Sequence, residues 1–293
     1  MVLRPLTLQF QENTVHYFLN EFPLNPYVGK MITLKLTGGQ KCVHCSRKIS
    51  KSFGQGYCFV CFQKLPECDF CYISPDRCHF SQGTCRDSAW GQSICFSPHY
   101  LYLSWTSQPK IGLTRKNGSL FQRWGHQGAI AGLLLAEVSD RNLAGLLEKH
   151  LSSFVQDKTH WKKMLLASNL LDLEQRQKIE SELLDLKKML LPFLEEEVKK
   201  LGREKDVMLE GKNKDFSWPV HFLHFPCNPY NPCNRLQGTQ DFKDVTLKAY
   251  PLEKTLEITA RLEAIKAQYF LFKEGIINLK KYFGYEYHLE VQE

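Results

Sequence analysis

CVHCSRKISKSFGQGYCFVC, residues 42–61, decides what kind of protein this chain builds. Cys42 and Cys45 form one C-x2-C pair, twelve residues separate it from Cys58, and Cys58 with Cys61 forms a second pair. Each tight turn presents two sulfurs, and a short hairpin brings the pairs around one tetrahedral ion, so the spacing predicts a zinc-ribbon-like site of four thiolates. Redox C-x2-C motifs are the competing reading, and two of them at ribbon spacing favour metal. Structural zinc contributes on the order of 10–16 kcal/mol of apparent binding energy, against about 2–4 kcal/mol for a disulfide, and needs no oxidising compartment.

The rest of the composition agrees with a reduced, folded chain. At 293 residues it is long enough for two or more units, and 43% hydrophobic, 12% aromatic and 24% charged residues exclude wholesale disorder. No apolar run reaches the length of a membrane span, and MVLRPLTLQFQENTVHYF lacks the apolar core of a secretory signal, so the expected location is the cytoplasm with no membrane partner. A formal charge of +7 permits attraction to phosphate polymers without identifying one. Of eleven cysteines, nine lie between Cys42 and Cys95, and such crowding points to metal.

Periodicity predicts an α+β fold. Ile32, Leu34 and Leu36 alternate with Thr33, Lys35 and Thr37, a half-buried strand that turns at Gly38 and Gly39. Strands are expected at YLYLS (100–104), KIGLT (110–114) and 133–138, with a helix around Arg123. A further helix starts at Ser139 or Asp140 and places Leu143, Leu147, Leu151 and Phe154 on one stripe. Residues 162–204 read as a helical hairpin or one kinked helix, interrupted at Pro192 and closed near Gly202. Strands return at DVTLKAY (244–250), 256–272 and 276–291, with a hairpin loop at Lys273-Glu274-Gly275. The expected division is an N-terminal β segment (1–40), a Cys-rich zinc segment (41–97), a mixed α+β domain (98–161), a helical segment (162–212) and a β-rich tail (213–293), with the two chain ends forming one β-rich module.

A second group of ligands follows the first. CDFCYISPDRCHFSQGTCRDSAWGQSIC offers Cys68, Cys71, Cys78, His79, Cys85 and Cys95, enough for a second structural zinc. Cys68 and Cys71 are its first candidates, and spacing leaves open which of Cys78, His79, Cys85 and Cys95 complete it. His79 is equally read as an imidazole outside the ligand shell. Cys227 and Cys233 read as ordinary thiols.

The run PECDFCYISPDRCHF, then GTCR, W-G and a cysteine, followed by HYLYLS, KIGLTR, RW, QGA, an R-x2-AG-x2-E helix and D-K-T-x-W, resembles a family of uncharacterised bacterial proteins known only as a domain of unknown function. That resemblance covers nearly the whole chain and brings no activity. Within it, residues 98–155 run strand, strand, helix, strand, helix, an order similar to the GIY-YIG nuclease domain with its three-stranded sheet. The resemblance puts Tyr100-Leu101-Tyr102 at the first motif, Lys110-Ile111-Gly112 at the second, Arg123 at the helix arginine and Glu148 at the metal-binding carboxylate. Neither tyrosine motif is intact, since Tyr100 replaces a glycine and Lys110 a tyrosine.

On that resemblance Glu148 holds Mg2+ or Mn2+, Tyr102 helps deprotonate water, and Arg123 neutralises the scissile phosphate, with Lys110 a second positive contact. His126 shares a helical edge with Arg123, and Ala144 and Gly145 are small enough to leave space for an ion beside Glu148. Asp157, Lys158, Thr159 and Trp161 are candidates for the same cleft. Taken singly, a strand tyrosine is usually core, an Arg-Trp pair a surface clamp and a helical glutamate solvated. Two functions follow: a zinc-stabilised endonuclease acting on DNA or RNA, or a noncatalytic zinc-containing module that binds nucleic acid or protein. An enzyme of small phosphorylated substrates is a third, because an Arg/Lys/Tyr pocket suits any phosphate.

Overall fold

Alternating burial runs through both ends of the chain in the computed structural model. The structure describes residues 1–118, 120–155, 158, 160–167, 171–209, 218–227, 249, 252–273 and 275–292. In chain order its elements are β1 (Thr7–Gln11), β2 (Thr14–Leu19), β3 (Phe22–Pro23), β4 (Met31–Gln40), α1 (Phe59–Lys64), α2 (Phe70–Ile73), α3 (Ser88–Ile94), β5 (His99–Trp105), β6 (Pro109–Arg115), α4 (Leu120–Gln127), β7 (Ala131–Val138), α5 (Arg141–Leu151), α6 (Trp161–Leu166), α7 (Leu173–Lys200), β8 (Val207–Leu209), β9 (His221–Phe222), β10 (Glu257–Lys266), β11 (Tyr269–Phe272), β12 (Gly275–Asn278) and β13 (Tyr285–Val291). They fall into two compact units, one holding Met1–Lys64 and the described residues from His224 onward, the other the described residues within Leu65–Ala167 and Leu171–Leu223.

In the first unit the chain ends share an antiparallel sheet of order β12-β11-β10-β4-β13. Ile32, Leu34 and Leu36 of β4 are buried, while Thr33 on the opposite face hydrogen bonds Thr259 at 2.8 Å, the pattern expected of a sheet with one face in a core. The strand does not turn at Gly38 and Gly39. It runs on to Gln40, and the missing Cβ of Gly39 makes room for the Glu286 carboxylate, which pairs with Lys41 at 2.6 Å. Phe272 pairs with Gly275 across the expected hairpin, whose residue 274 lies outside the described residues, as does the 244–250 strand apart from Ala249. A small β1-β2-β3 sheet is tied in by Tyr17, whose buried hydroxyl accepts the Ala267 N–H at 2.8 Å.

The second unit centres on β6-β5-β7-β8, with β9 also pairing to β7. The three strands β6, β5 and β7 were expected, and the two short ones extend them for a physical reason. Residues 131–136 of β7 are all buried, so its far edge needs partners for backbone groups that water cannot reach. Helix α5 starts at Asp140, whose carboxylate accepts the Leu143 N–H at 2.8 Å, and it buries Leu143, Leu147 and Leu151. Phe154 leaves that stripe, because the helix ends at Leu151, and it stacks on Phe193 at 4.4 Å.

The helical segment resolves into α6 and the 28-residue α7, which opens with an Asp172/Gln175 capping box. Pro192 does not interrupt α7. The buried Leu190 and Leu194 flank it, and packing on both sides outweighs the roughly 3 kcal/mol an interior proline costs. Gly202, at φ +64°, closes the segment as expected. Among the described residues no helix is long and apolar enough to cross a membrane.

Candidate functional site

The first knuckle is built by the backbone. Cys42 donates its N–H to the Arg47 carbonyl at 2.8 Å and accepts from Ser46 N–H at 2.9 Å, which curls Cys42 and Cys45 toward each other. Gly56 closes the loop from the other side: its carbonyl accepts from Val43 N–H at 2.9 Å, and at φ +91° a Cβ there would lie 2.7 Å from Val43 Cγ1. The second pair departs from a ribbon knuckle. Cys58 precedes α1 and Cys61 lies within it, so a helical turn rather than a hairpin turn presents both sulfurs.

The four donor sulfurs all lie within 4.8 Å of one another. Cys45 Sγ and Cys58 Sγ are 3.8 Å apart, which matches the ~3.8 Å edge of a sulfur tetrahedron with bonds of about 2.3 Å to zinc. Backbone N–H groups point at the sulfurs, Cys58 N–H to Cys42 Sγ at 3.2 Å and Cys61 N–H to Cys58 Sγ at 3.4 Å. Burial pushes the Cys42 thiol up, but N–H groups of Cys45, Cys58 and His44 outweigh it and bring the pKa down to about 6; burial raises Cys61. The donor set fits zinc, and Cys42, Cys45, Cys58 and Cys61 would hold it.

In the second unit Cys71, Cys78, Cys85 and Cys95 gather around a small cavity. Asp69, Cys71 and His79 place donor atoms within 4.8 Å of one another, so this group could bind zinc. A cavity of about 20 Å³ beside them is lined by Cys71, Cys78, His79, Cys85 and Cys95 among others. Cys68 is not among its lining residues; it sits half-buried in the turn Pro66–Cys68. Asp69 accepts the Phe70 N–H at 2.6 Å and pairs with Arg86 at 2.9 Å, its carboxylate also lying 3.5 Å from His79 Nε2.

The third arrangement spans β5, α4 and α5. Tyr102 is fully buried, opposite Gly112 on β6, and its hydroxyl accepts hydrogen bonds from Gln127 Nε2 at 2.9 Å and from the Arg123 guanidinium. Glu148, half-buried on α5, acts electrostatically on both Tyr102 and Arg123. Tyr102 and Arg123 therefore touch, and Glu148 lies within electrostatic range of both. Burial is the main cause that raises the Tyr102 pKa, so the phenol stays protonated and uncharged at neutral pH and is a poor base; the Arg123 pKa is raised by its pairing with Tyr102, against burial, and by Glu148, so the guanidinium stays cationic.

Lys110 is buried in β6 opposite Ser104, on the strand face shared with Gly112 and hence with Tyr102. His126 is half-buried one turn after Arg123. The space expected beside Gly145 is filled: a Cβ there would lie 2.6 Å from Pro75 Cβ and from Asp76 N, because the 75–77 turn packs directly on α5. Asp157 and Thr159 lie outside the described residues.

The family described as "Protein of unknown function (DUF2797)" matches residues 29–287. The chain belongs to this family. No curated protein and no solved structure matches it. The DUF2797 match takes in both cysteine groups and the Tyr102, Arg123 and Glu148 arrangement, and carries no activity. Four residues of this DUF2797 chain escaped the sequence reading. Ser104 Oγ, Gln127 Oε1 and Trp124 Nε1 are buried without a hydrogen-bond partner in the same unit, and Tyr72 adds its field to that of Arg123. All four stand in runs that carry the family resemblance, PECDFCYISPDRCHF, HYLYLS, RW and QGA, but what each touches depends on which face of an element is covered.

Proposed function

We propose that this DUF2797 protein is a zinc-stabilised protein acting on nucleic acid through a GIY-YIG-like endonuclease site. The observation that carries the reading is the Tyr102–Arg123 hydrogen bond, with Glu148 from a third element within electrostatic range of both. Orphaned polar atoms at Ser104 and Gln127 support it, because a buried donor or acceptor without a partner costs about 1–3 kcal/mol unless something fills the role. Arg123 binds a non-bridging phosphate oxygen, oriented by the Tyr102 hydroxyl. Lys110 adds positive charge on the same strand face. Glu148 would hold a divalent ion, magnesium or manganese, which when bound supplies Lewis-acid stabilisation of the developing charge.

Tyr102 then positions rather than deprotonates, and His126, one turn after Arg123 on α4, is the nearby group that would serve as base. Water forms a bond to phosphorus as the P–O ester bond breaks; His126 takes the water proton and solvent protonates the leaving oxygen. The test is a panel of branched, nicked and single-stranded DNA and RNA with zinc-loaded protein and added Mg2+ or Mn2+. Cleavage is expected to fall at least 100-fold in Glu148→Gln; cleavage unaffected by that change, or no cleavage of any substrate, removes the proposal. The second reading, a noncatalytic nucleic-acid module, draws on the protonated Tyr102 and on Lys110 in place of a tyrosine, and it predicts salt-sensitive binding without turnover.

A further inference from the structure

The segment from Glu67 to Pro98 buries almost nothing apolar. Its fully buried residues are Asp69, Pro75 and Gly91, while Phe70, Ile73 and Phe96 are 55%, 81% and 46% exposed. A stretch this long without a hydrophobic core needs a cross-link to hold one conformation. Four of its thiols instead line one cavity of about 20 Å³, Cys71 on α2, Cys78 after the Pro75–Arg77 turn, Cys85 in the loop after Phe80–Gln82 and Cys95 at the end of α3, and that cavity has room for about one water-sized particle. Cys78, Cys85 and Cys95 all lie within electrostatic reach of Cys71. Gly91 permits the approach, since a Cβ there would sit 3.3 Å from Cys85 Sγ and 3.1 Å from the Phe80 ring.

A second observation points at the same place from outside the segment. The Nε of Arg141 is buried with no hydrogen-bond partner, although its Nη2 donates to the Tyr72 carbonyl at 2.6 Å and its guanidinium lies 4.5 Å over the Tyr72 ring. Arg141 lines a second small cavity together with Cys71, Cys78 and Cys95. A buried cationic side chain lining one cavity with three thiols makes sense when those thiols are anionic, as metal ligands are.

We propose that Cys71, Cys78, Cys85 and Cys95 form a second four-thiolate zinc centre, partly balanced in charge by Arg141. Asp69 and His79 stay outside the ligand shell. Asp69 already accepts from Phe70 and pairs with Arg86, and His79 Nδ1 is 2.8 Å from Thr84 Oγ1. Four thiolates on one zinc ion carry a net charge of about −2, of which Arg141 offsets one unit, the Arg86 charge being taken up by Asp69. The centre has a structural consequence within this unit. It fixes the 70–78 loop on α5, where Asn142 donates to the Pro75 carbonyl at 2.9 Å and Lys149 pairs with Asp76 at 2.7 Å, one position from Glu148.

The experiment is zinc stoichiometry and X-ray absorption on the purified full-length chain. The wild type is expected to hold two zinc ions per chain with a sulfur-only first shell at about 2.3 Å. Cys78→Ser and Cys95→Ser should each hold one, whereas Cys68→Ser and His79→Ala should hold two. Arg141→Gln should release the second ion to a competing chelator at roughly 10- to 100-fold lower chelator concentration, as expected for an outer partner of a metal site. One ion in the wild type, a nitrogen or oxygen contribution near 2.0–2.1 Å, or loss of an ion in His79→Ala but not in Cys85→Ser would overturn the assignment. The absorption measurement uses wild-type protein, so it decides the matter even where a cysteine variant does not fold.

Discussion

Replacing Gly112 by alanine tests whether Tyr102 is held as tightly as the site requires. A Cβ at Gly112 would lie 2.5 Å from the Tyr102 hydroxyl oxygen, 2.6 Å from Cζ and 2.9 Å from Cε2. Ordinary carbon contacts sit at about 3.5–4.0 Å, so the ring must move by roughly 1 Å. It has little freedom to do so. Trp124 lies edge-on with ring centroids 6.0 Å apart, and Gln127 and Arg123 hold the hydroxyl. Overpacking of this kind costs about 1–3 kcal/mol, which for a unit of ~150 residues lowers Tm by roughly 2–12 °C. Thermal melts of Gly112→Ala should show that loss, and the same change in a Tyr102→Ala background should cost less than ~0.5 kcal/mol, because the obstructing ring is gone. An equal cost in both backgrounds would refute the reasoning.

Other outcomes follow from the same contacts. Cys42→Ser should remove one zinc equivalent and expose the amides of residues 41–64 to hydrogen exchange, since that segment's order depends on the ion; unchanged protection would separate the fold from the metal. His99 is buried, with its pKa brought down to about 4 chiefly by burial, so the folded state resists protonation that the unfolded chain accepts below about pH 6.5. Stability should therefore fall from pH 6.5 toward pH 4, by about 2–3 kcal/mol at pH 4.5, and urea titrations of His99→Gln should lack that part of the slope. Asp140 caps α5 and pairs with Arg203 at 2.7 Å, burial opposing but those bonds lowering its pKa. Asp140→Ala should cost about 1–3 kcal/mol in chemical denaturation and Asp140→Asn, which keeps a capping oxygen, less; equal losses would deny the cap its share.

Local signals in the chain were enough for the elements. The alternation through Ile32, Leu34 and Leu36, the capping residue Asp140 and the C-x2-C spacing each act over a few residues, where backbone geometry and side-chain period leave little choice. They determined that the chain is α+β, that its ends contain strands and that Cys42, Cys45, Cys58 and Cys61 form one donor set. Tertiary structure decided what those signals could not carry. Whether Pro192 breaks a helix depends on the apolar stripe either side of it, and whether Gly145 leaves space depends on a turn seventy residues earlier that packs into it. Which donors gather around Cys71 is decided the same way, because metal ligands are chosen by distance in space and cysteines at irregular spacing hold no record of it. Tyr102 shows the limit most plainly: its identity is local, but its full burial raises its pKa and turns an expected base into a fixed phenol, a change set by everything that surrounds it.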